Sequence, residues 1–420
     1  MHHFNYRNGE LFCEDVPVKA VVEASGTPCY LYSHATLTRH FQEFSNAFQG
    51  MDRLVCYSAK ANTNLAILRL FEKMGGGLDI VSGGELYRGL AAGFSAECIV
   101  YSGVGKMVDE IDFALEEGIL MFNVESIEEL KLLNERAKTL GKTAPVALRV
   151  NPDVDPKTHP YISTGLNKNK FGIDTEGAME GYRLAQTLSN IRVRGIDCHI
   201  GSQITESTPF KDALKSLVGL VRKLKDMGIL LEHIDVGGGL GIIYDDESPP
   251  LPVEYARAIV GALKGTSLKL ILEPGRVIVG NAGTLITRVL YRKKGKAKEF
   301  VIVDAAMNDL IRPSLYHAYH AVWPVVRTRR KKIRADVVGP ICESGDFLAE
   351  DREMTDAKKG ELLAVMSAGA YGFSMASNYC SRPRVAEVMV KGDRFHIVRA
   401  RETYEDLIRG ESIPAFIGAQ

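Results

Sequence analysis

"LVCYSAKANTNLAILRLF", residues 54–71, decides how the rest of the chain is read. An apolar run, Leu54–Ser58, has the length of a buried strand. After a turn of small and polar residues, Leu65, Ile67, Leu68, Leu70 and Phe71 follow an amphipathic helical spacing. Between the two stands Lys60, flanked by Ala59 and Ala61, a charged amine at the mouth of a strand-to-helix turn.

Outward from this stretch the same unit recurs. Strand-like runs fall at Leu54–Ser58, Leu78–Val81, Cys98–Tyr101, Leu120–Val124, Val146–Val150, Val193–His199, His233–Val236 and Leu268–Leu272. Helical segments such as Ile127–Leu140, Phe210–Met227 and Val253–Leu263 lie between them. Eight such units in about 230 residues have the count and size of a (β/α)8 barrel, an α/β architecture; a doubly wound open sheet is the alternative. One polar, Pro- and Gly-containing loop, Asn151–Asp174, interrupts the rhythm after the fifth run. Loops of this length in compact domains are often functional.

Past residue 283 strand-like runs dominate: Thr284–Tyr291, Phe300–Asp304, Ala335–Gly339 and Leu362–Ser367, then a hairpin turning at Lys391-Gly392-Asp393. The first 30 residues also read as β-like, with a hairpin at Asn8-Gly9. They are expected to join the C-terminal sheet, because an isolated hairpin is marginal. The expected division is 1–30 with the C-terminal sheet, 31–283 as the barrel and 284–420 as a β-rich domain.

Composition narrows the function classes. The chain has 420 residues, 45% of them hydrophobic, and 52 basic against 52 acidic side chains. That balance speaks against a dedicated nucleic-acid or membrane-surface binder. Two basic clusters, Arg292–Lys298 and Arg327–Arg334, read as solvated hairpin tips. Seven cysteines without a CxxC pair suggest a reduced, cytoplasmic protein rather than a disulfide or zinc scaffold, and no metal site is expected. No apolar run is long enough to span a bilayer.

Barrels of this kind carry their chemistry at the C-terminal ends of the strands. There the first run offers Lys60, and the sixth "HIGSQ" with His199 and Ser202. The seventh offers "VGGGLG" with Gly237, Gly238 and Gly239, and the eighth "EPGR" with Glu273, Gly275 and Arg276. Residues without side chains let backbone N–H groups approach an anion, and loops after strands seven and eight are the recurrent phosphate site of this barrel. Glu273 ends a continuous apolar run, where a carboxylate needs a partner: Arg276, or the protonated nitrogen of a ring. His199 is either a satisfied structural histidine or a flat contact for such a ring. An amine, a carboxylate, a phosphate cradle and a stacking ring suit pyridoxal phosphate, although a sugar phosphate would satisfy the cradle alone.

With "GPICESGD" (339–346) and "GAYG" (369–372), these motifs resemble the alanine-racemase-like fold group of pyridoxal-phosphate enzymes. Within that group they resemble the ornithine/diaminopimelate/arginine decarboxylase family, and most of all its diaminopimelate branch. The resemblance runs from about residue 25 to 415 and implies a barrel followed by a β domain. It also implies a homodimer with shared active sites and pyridoxal 5'-phosphate as cofactor. Lys60 matches the Schiff-base lysine, His199 the residue stacked on the ring and Glu273 the partner of the ring nitrogen. Ser202, Gly238, Gly239, Gly275, Arg276 and Tyr371 match residues around the phosphate, Arg276 and Tyr371 also facing substrate.

By the same resemblance Cys342 is the proton donor and Glu343 holds the distal ammonium, both on a loop reaching from the partner subunit. Arg312 and Tyr316 hold the distal carboxylate. Read without the family, Cys342 is a small buried residue and Arg312 a loop residue at the surface. The implied reaction, the last step of lysine biosynthesis, converts meso-2,6-diaminopimelate at its D-centre to L-lysine and CO2 through an external aldimine. Its rivals are an ornithine- or arginine-type decarboxylase, an amino-acid racemase, and a non-catalytic regulatory homologue. Glu343 and Arg312 argue against the first, the "CESGD" loop against the second, and an intact lysine and phosphate cradle against the third.

Overall fold

The computed structural model describes residues 2–155 and 169–418. They divide into two compact units, Thr36–Asn281, and Met1–Ala35 together with Ala282–Gln420. Most of the Asn151–Asp174 loop, residues 156–168, lies outside the described residues.

The first unit is a closed barrel of eight parallel strands: Arg53–Ser58, Gly77–Ile80, Ile99–Tyr101, Met121–Val124, Ala144–Arg149, Ile191–Asp197, His233–Asp235 and Lys269–Leu272. Each forms on one of the eight apolar runs. The ring closes where the eighth strand pairs with the first, Leu270 opposite Arg53 and Leu272 opposite Val55. Side-chain caps start several of the intervening helices. Asn64 accepts from the Ala66 N–H ahead of Leu65–Lys73, Ser82 from Glu85 ahead of Gly83–Ala91, and Ser126 from Glu129 ahead of Ile127–Thr139. Such a cap contributes about 1 kcal/mol and fixes where the chain turns from strand into helix.

Parallel register then gathers polar residues at one level. Arg149, Asp197 and Asp235 stand opposite one another on the fifth, sixth and seventh strands, and Ser58 stands opposite Asp79 on the first and second. The described end of the long loop folds back onto this level. Gly172, in the left-handed region at φ +72°, donates its N–H to Glu125 at 2.8 Å, and Arg149 lies over the Phe171 ring at 4.9 Å.

In the second unit the sheet runs in the order Phe347–Thr355, Lys332–Val338, Glu299–Val303, Gly283–Lys294, Cys29–Ser33, Ala386–Lys391, Arg394–Arg399. Val322–Pro324 and Leu362–Val365 pair off this path. Cys29–Ser33 is paired on both edges and buried throughout, with Cys29 and Leu31 in the apolar core of this unit. A three-stranded sheet, Phe4–Arg7, Glu10–Cys13 and Val16–Pro17, turns first at Asn8-Gly9. Both turn residues have positive φ, +49° and +82°, as a tight two-residue hairpin turn requires.

Three readings change. The N-terminal segment is not wholly β, since Val18–Ser25 is a helix. Its valines at 18, 21 and 22 share one buried face, and that burial overrides their β propensity. The Arg327–Arg334 cluster is not a hairpin tip. It links Val322–Pro324, which pairs with Leu362–Val365, to Lys332–Val338, which pairs with Glu299–Val303 and Phe347–Thr355. The Phe347–Thr355 strand itself, "FLAEDREMT", was hidden by its charges, of which Glu350, Asp351 and Glu353 are exposed. Among the described residues no helix is long and apolar enough to cross a membrane.

Candidate active site

The first strand delivers Lys60 on a short 3-10 turn, Ala59–Ala61. Its Nζ lies 2.7 Å from the Asp79 carboxylate, which is fully buried and also accepts from the Ser58 hydroxyl at 2.6 Å. The amine therefore has polar surroundings, not the low-polarity site that a lysine free of charge would need. Ala59 and Ala61 are buried as well, and their small size has a packing reason. A Cβ on Gly275 would sit 3.1 Å from the Cβ atoms of Ala61 and Ser58, so the turns after the first and eighth strands meet closely.

Glu273 ends the eighth strand in a network that the sequence did not reveal. Its Oε1 accepts from Ser102 Oγ and Asn123 Nδ2, each at 3.3 Å. The same Asn123 nitrogen reaches Asp235 Oδ2 at 3.2 Å and Ser102 Oγ at 3.1 Å. Asp197, Asp235 and Glu273 each bring a carboxylate oxygen within 4.8 Å of the others. Burial, then the neighbouring charges of Asp235 and Asp79, push the Glu273 carboxyl well above the usual range. Burial and Asp197 push Asp235 up to about 8. Arg149 answers part of this charge. It pairs with Glu125 at 2.7 Å and lies 3.8 Å from Asp197.

His199 accepts at Nδ1 from the Gly238 N–H at 3.1 Å, so its proton sits on Nε2. Desolvation, then the Arg149 and Lys60 charges, hold its pKa well below the usual value and keep the ring neutral. The glycine run is thus not wholly an anion cradle. Gly238 serves His199, and the Gly237 N–H donates to Asp235 at 3.0 Å. What the run needs is close packing. A Cβ on Gly238 would fall 2.1 Å from the Glu273 carbonyl oxygen, and one on Gly239 2.3 Å from that of Gly201. Arg276 donates to Ser202 Oγ at 3.0 Å and to the Tyr244 hydroxyl at 2.8 Å, so the "HIGSQ" and "EPGR" segments meet through a fixed guanidinium.

The remaining candidates lie in the other unit. Arg312 is buried rather than a surface loop residue, and opens the short helix Arg312–Tyr316. Its Nη1 is 2.8 Å from His320 Nε2, while His320 Nδ1 is 2.8 Å from the Met366 carbonyl. The carbonyl requires Nδ1–H, so Nε2 accepts from Arg312. Tyr316 is half-buried on that helix. Cys342 is exposed, not the buried residue its type suggests, and Glu343 beside it accepts from the Tyr379 hydroxyl at 2.7 Å. Asp346 staples this loop, accepting from the N–H groups of Ile341 and Met307, each at 2.7 Å. Tyr371 sits in the left-handed region at φ +55°.

Sequence reading missed Asp79, Ser102, Asn123, Arg149, Asp197, Asp235 and Tyr244. The aspartates had a usable signal. "LDI", "GIDC" and "HIDV" each set a carboxylate inside an apolar run, the feature that singled out Glu273.

An amine beside a buried carboxylate, a neutral imidazole, a fixed guanidinium–hydroxyl pair and a second buried carboxylate, all at one end of a (β/α)8 barrel, suit pyridoxal phosphate. Comparison agrees. Residues 34–280 match the family model described as "Pyridoxal-dependent decarboxylase, pyridoxal binding domain". The chain is 51% identical over 414 residues to the diaminopimelate decarboxylase of Haemophilus influenzae, covering 98% of this chain and 100% of that one. It is 54% identical over 413 residues to that of Pseudomonas aeruginosa, covering 98% and 99%. The structure of diaminopimelate decarboxylase from M. jannaschii in complex with L-lysine superposes with a TM-score of 0.94 at 40% identity, covering 99% and 100%. The chain belongs to the pyridoxal-dependent decarboxylase family, and pyridoxal phosphate is its cofactor.

Proposed function

We propose that this chain decarboxylates meso-2,6-diaminopimelate at its D-centre, releasing L-lysine and CO2. The observation that carries the reading is likeness of about half the residues over essentially the full length to relatives named for that activity. The donor set fits the cofactor. Lys60 would bond its aldehyde, Glu273 would pair with its ring nitrogen and the neutral His199 would stack against its ring. Ser202, Arg276 and the backbone at Gly239 and Gly275 would hold its phosphate. When bound, the cofactor supplies an electron sink for the pair left as CO2 departs.

The chain's own residues direct that chemistry. Asp79 holds the Lys60 ammonium in place and can take its proton as the amine becomes a nucleophile. A neutral His199 adds no positive charge beside Arg149 and Lys60. By the family resemblance Cys342, on a loop that reaches the partner subunit's site, would give its thiol proton to the carbon that has lost CO2. Glu343 holds the substrate's distal ammonium. Arg312, kept rigid by His320, offers a fork to the distal carboxylate, with Tyr316 beside it, and Tyr371 binds near the phosphate. We assign the working form as a homodimer and its compartment as the cytoplasm, in keeping with the family resemblance and the reduced cysteines.

The test is direct. Purified protein with pyridoxal phosphate is given meso-diaminopimelate, ornithine or arginine separately, and CO2 is measured. Release from diaminopimelate alone is expected. Release from ornithine or arginine but not from diaminopimelate overturns the substrate assignment.

A further inference from the structure

The buried network behind Glu273 does more than hold one side chain. Asn123 offers two amide hydrogens to three acceptors, Ser102 Oγ, Asp235 Oδ2 and Glu273 Oε1, at 3.1 to 3.3 Å. It thereby ties two carboxylates of different strands to one donor. Asp197 stands against the pair within 4.8 Å, and its Oδ1 has no hydrogen-bond partner among the described residues. All three acids are almost wholly shut off from water. The charges facing them come from every side of the barrel. Asp79 lies on the second strand, Lys60 follows the first, Arg149 lies on the fifth, and Glu125 after the fourth takes up much of the Arg149 charge. Cys56 on the first strand and Tyr255 on helix Pro252–Ala262 also face the group, and both are held in their neutral forms. Carboxylates therefore outnumber cations here, and like charges this close and this dry do not all ionise.

Resting on the proposed role of Glu273, we propose that Asp235 is a positioning residue for it. Of the two carboxylates, tied through the Asn123 amide and within 4.8 Å of one another, one stays protonated, and the proton passes from Glu273 to the basic ring nitrogen that binds against it. The transfer balances within the site: a carboxylic acid O–H breaks, a ring N–H forms, and the paired acids are left with one more negative charge facing the cation they made. No proton need be drawn from solvent into the barrel.

Two measurements test this. In the cofactor-free protein near neutral pH, infrared spectroscopy should show a protonated-carboxyl stretching band that disappears on addition of pyridoxal phosphate. Asp235→Asn should lack the band that the cofactor removes. With cofactor labelled by 15N in its ring, the nitrogen should stay protonated up to pH 9 in the unsubstituted protein, lose its proton between pH 7 and 9 in Asp235→Asn, and be unprotonated throughout in Glu273→Gln. If Asp235→Asn does not fold, Asn123→Ala, which removes the tie, should shift the nitrogen titration in the same direction by a smaller amount. A nitrogen signal unmoved by Glu273→Gln overturns the role of Glu273 and this inference with it. A signal moved by Glu273→Gln but not by Asp235→Asn or Asn123→Ala overturns this inference alone, as does a carboxyl band that survives cofactor binding.

Discussion

Glu273 and Cys342 both follow β-strands, in opposite surroundings. Glu273 is closed in by Ser102, Asn123 and Asp235, and the backbone behind it leaves no room for a Cβ on Gly238. Cys342 and Glu343 stand exposed on a loop held from beneath by Asp346. The barrel set is positioned by packing and hydrogen bonds, so a change there alters stability and chemistry together. Within one subunit the loop set owes little to burial, so a change there should alter chemistry far more than the subunit's stability.

Lys60→Ala gives the largest effect expected. Visible absorbance on adding pyridoxal phosphate should vanish and turnover should fall to background. The protein should also lose about 1–3 kcal/mol of stability, because buried Asp79 is left without its cation. An unchanged spectrum would show that another lysine bonds the cofactor. Cys342→Ala is the counterpart on the loop. Turnover should fall by about 10²–10⁴-fold, the contribution of a positioned general acid, with the cofactor spectrum intact. Its melting temperature should stay put, as for surface substitutions worth less than about 0.5 kcal/mol. A fall in melting temperature matching that of Lys60→Ala would erase the contrast between the two regions.

Arg312→Lys tests an intermediate case, a buried residue outside the barrel. Loss of a bidentate grip should lower kcat/KM for diaminopimelate on the order of 10- to 100-fold, from about 1.5–3 kcal/mol of charged hydrogen bonding. Kinetics with diaminopimelate would check it, and wild-type kcat/KM would remove Arg312 from substrate recognition.

The smallest effect is one of pH, and its sign divides the two regions. Burial alone would raise the Glu402 carboxyl, but the Arg384 guanidinium and N–H and the Asn378 amide hold it down at about 2. The stability that Glu402 adds is present above the unfolded value of about 4 and is lost as pH falls toward 2. Asp235 is raised instead, to about 8. In the cofactor-free protein the proton that the Asp235–Glu273 pair carries is retained by the fold and released on unfolding, so stability declines as pH rises from about 4 to 8. In melting curves of the cofactor-free protein against pH, Glu402→Gln should flatten the acid side and Asp235→Asn the neutral-to-alkaline side. The same slope in Asp235→Asn as in the unsubstituted protein would contradict the raised acid.

The barrel was legible because each strand is a short apolar run followed by a helical period, and that pattern is local. Lys60, His199, Glu273 and Arg276 could be picked out because each follows such a run directly. The helix Val18–Ser25 was misread for the converse reason: valines favour strands, and only the buried face they share makes a helix of them.

The sequence by itself determined the number of strands, the order of their ends and the glycines without which those ends could not meet. The tertiary structure decided which ends meet. Ser102, Asn123, Asp235 and Glu273 lie on or directly after four strands, up to 171 residues apart, and their hydrogen bonds exist only because the sheet closes on itself. Closure also sets the protonation of the site, since a carboxylate's proton affinity depends on the charges and water around it. No linear pattern holds that information, because the nearest charges to Glu273 belong to other strands.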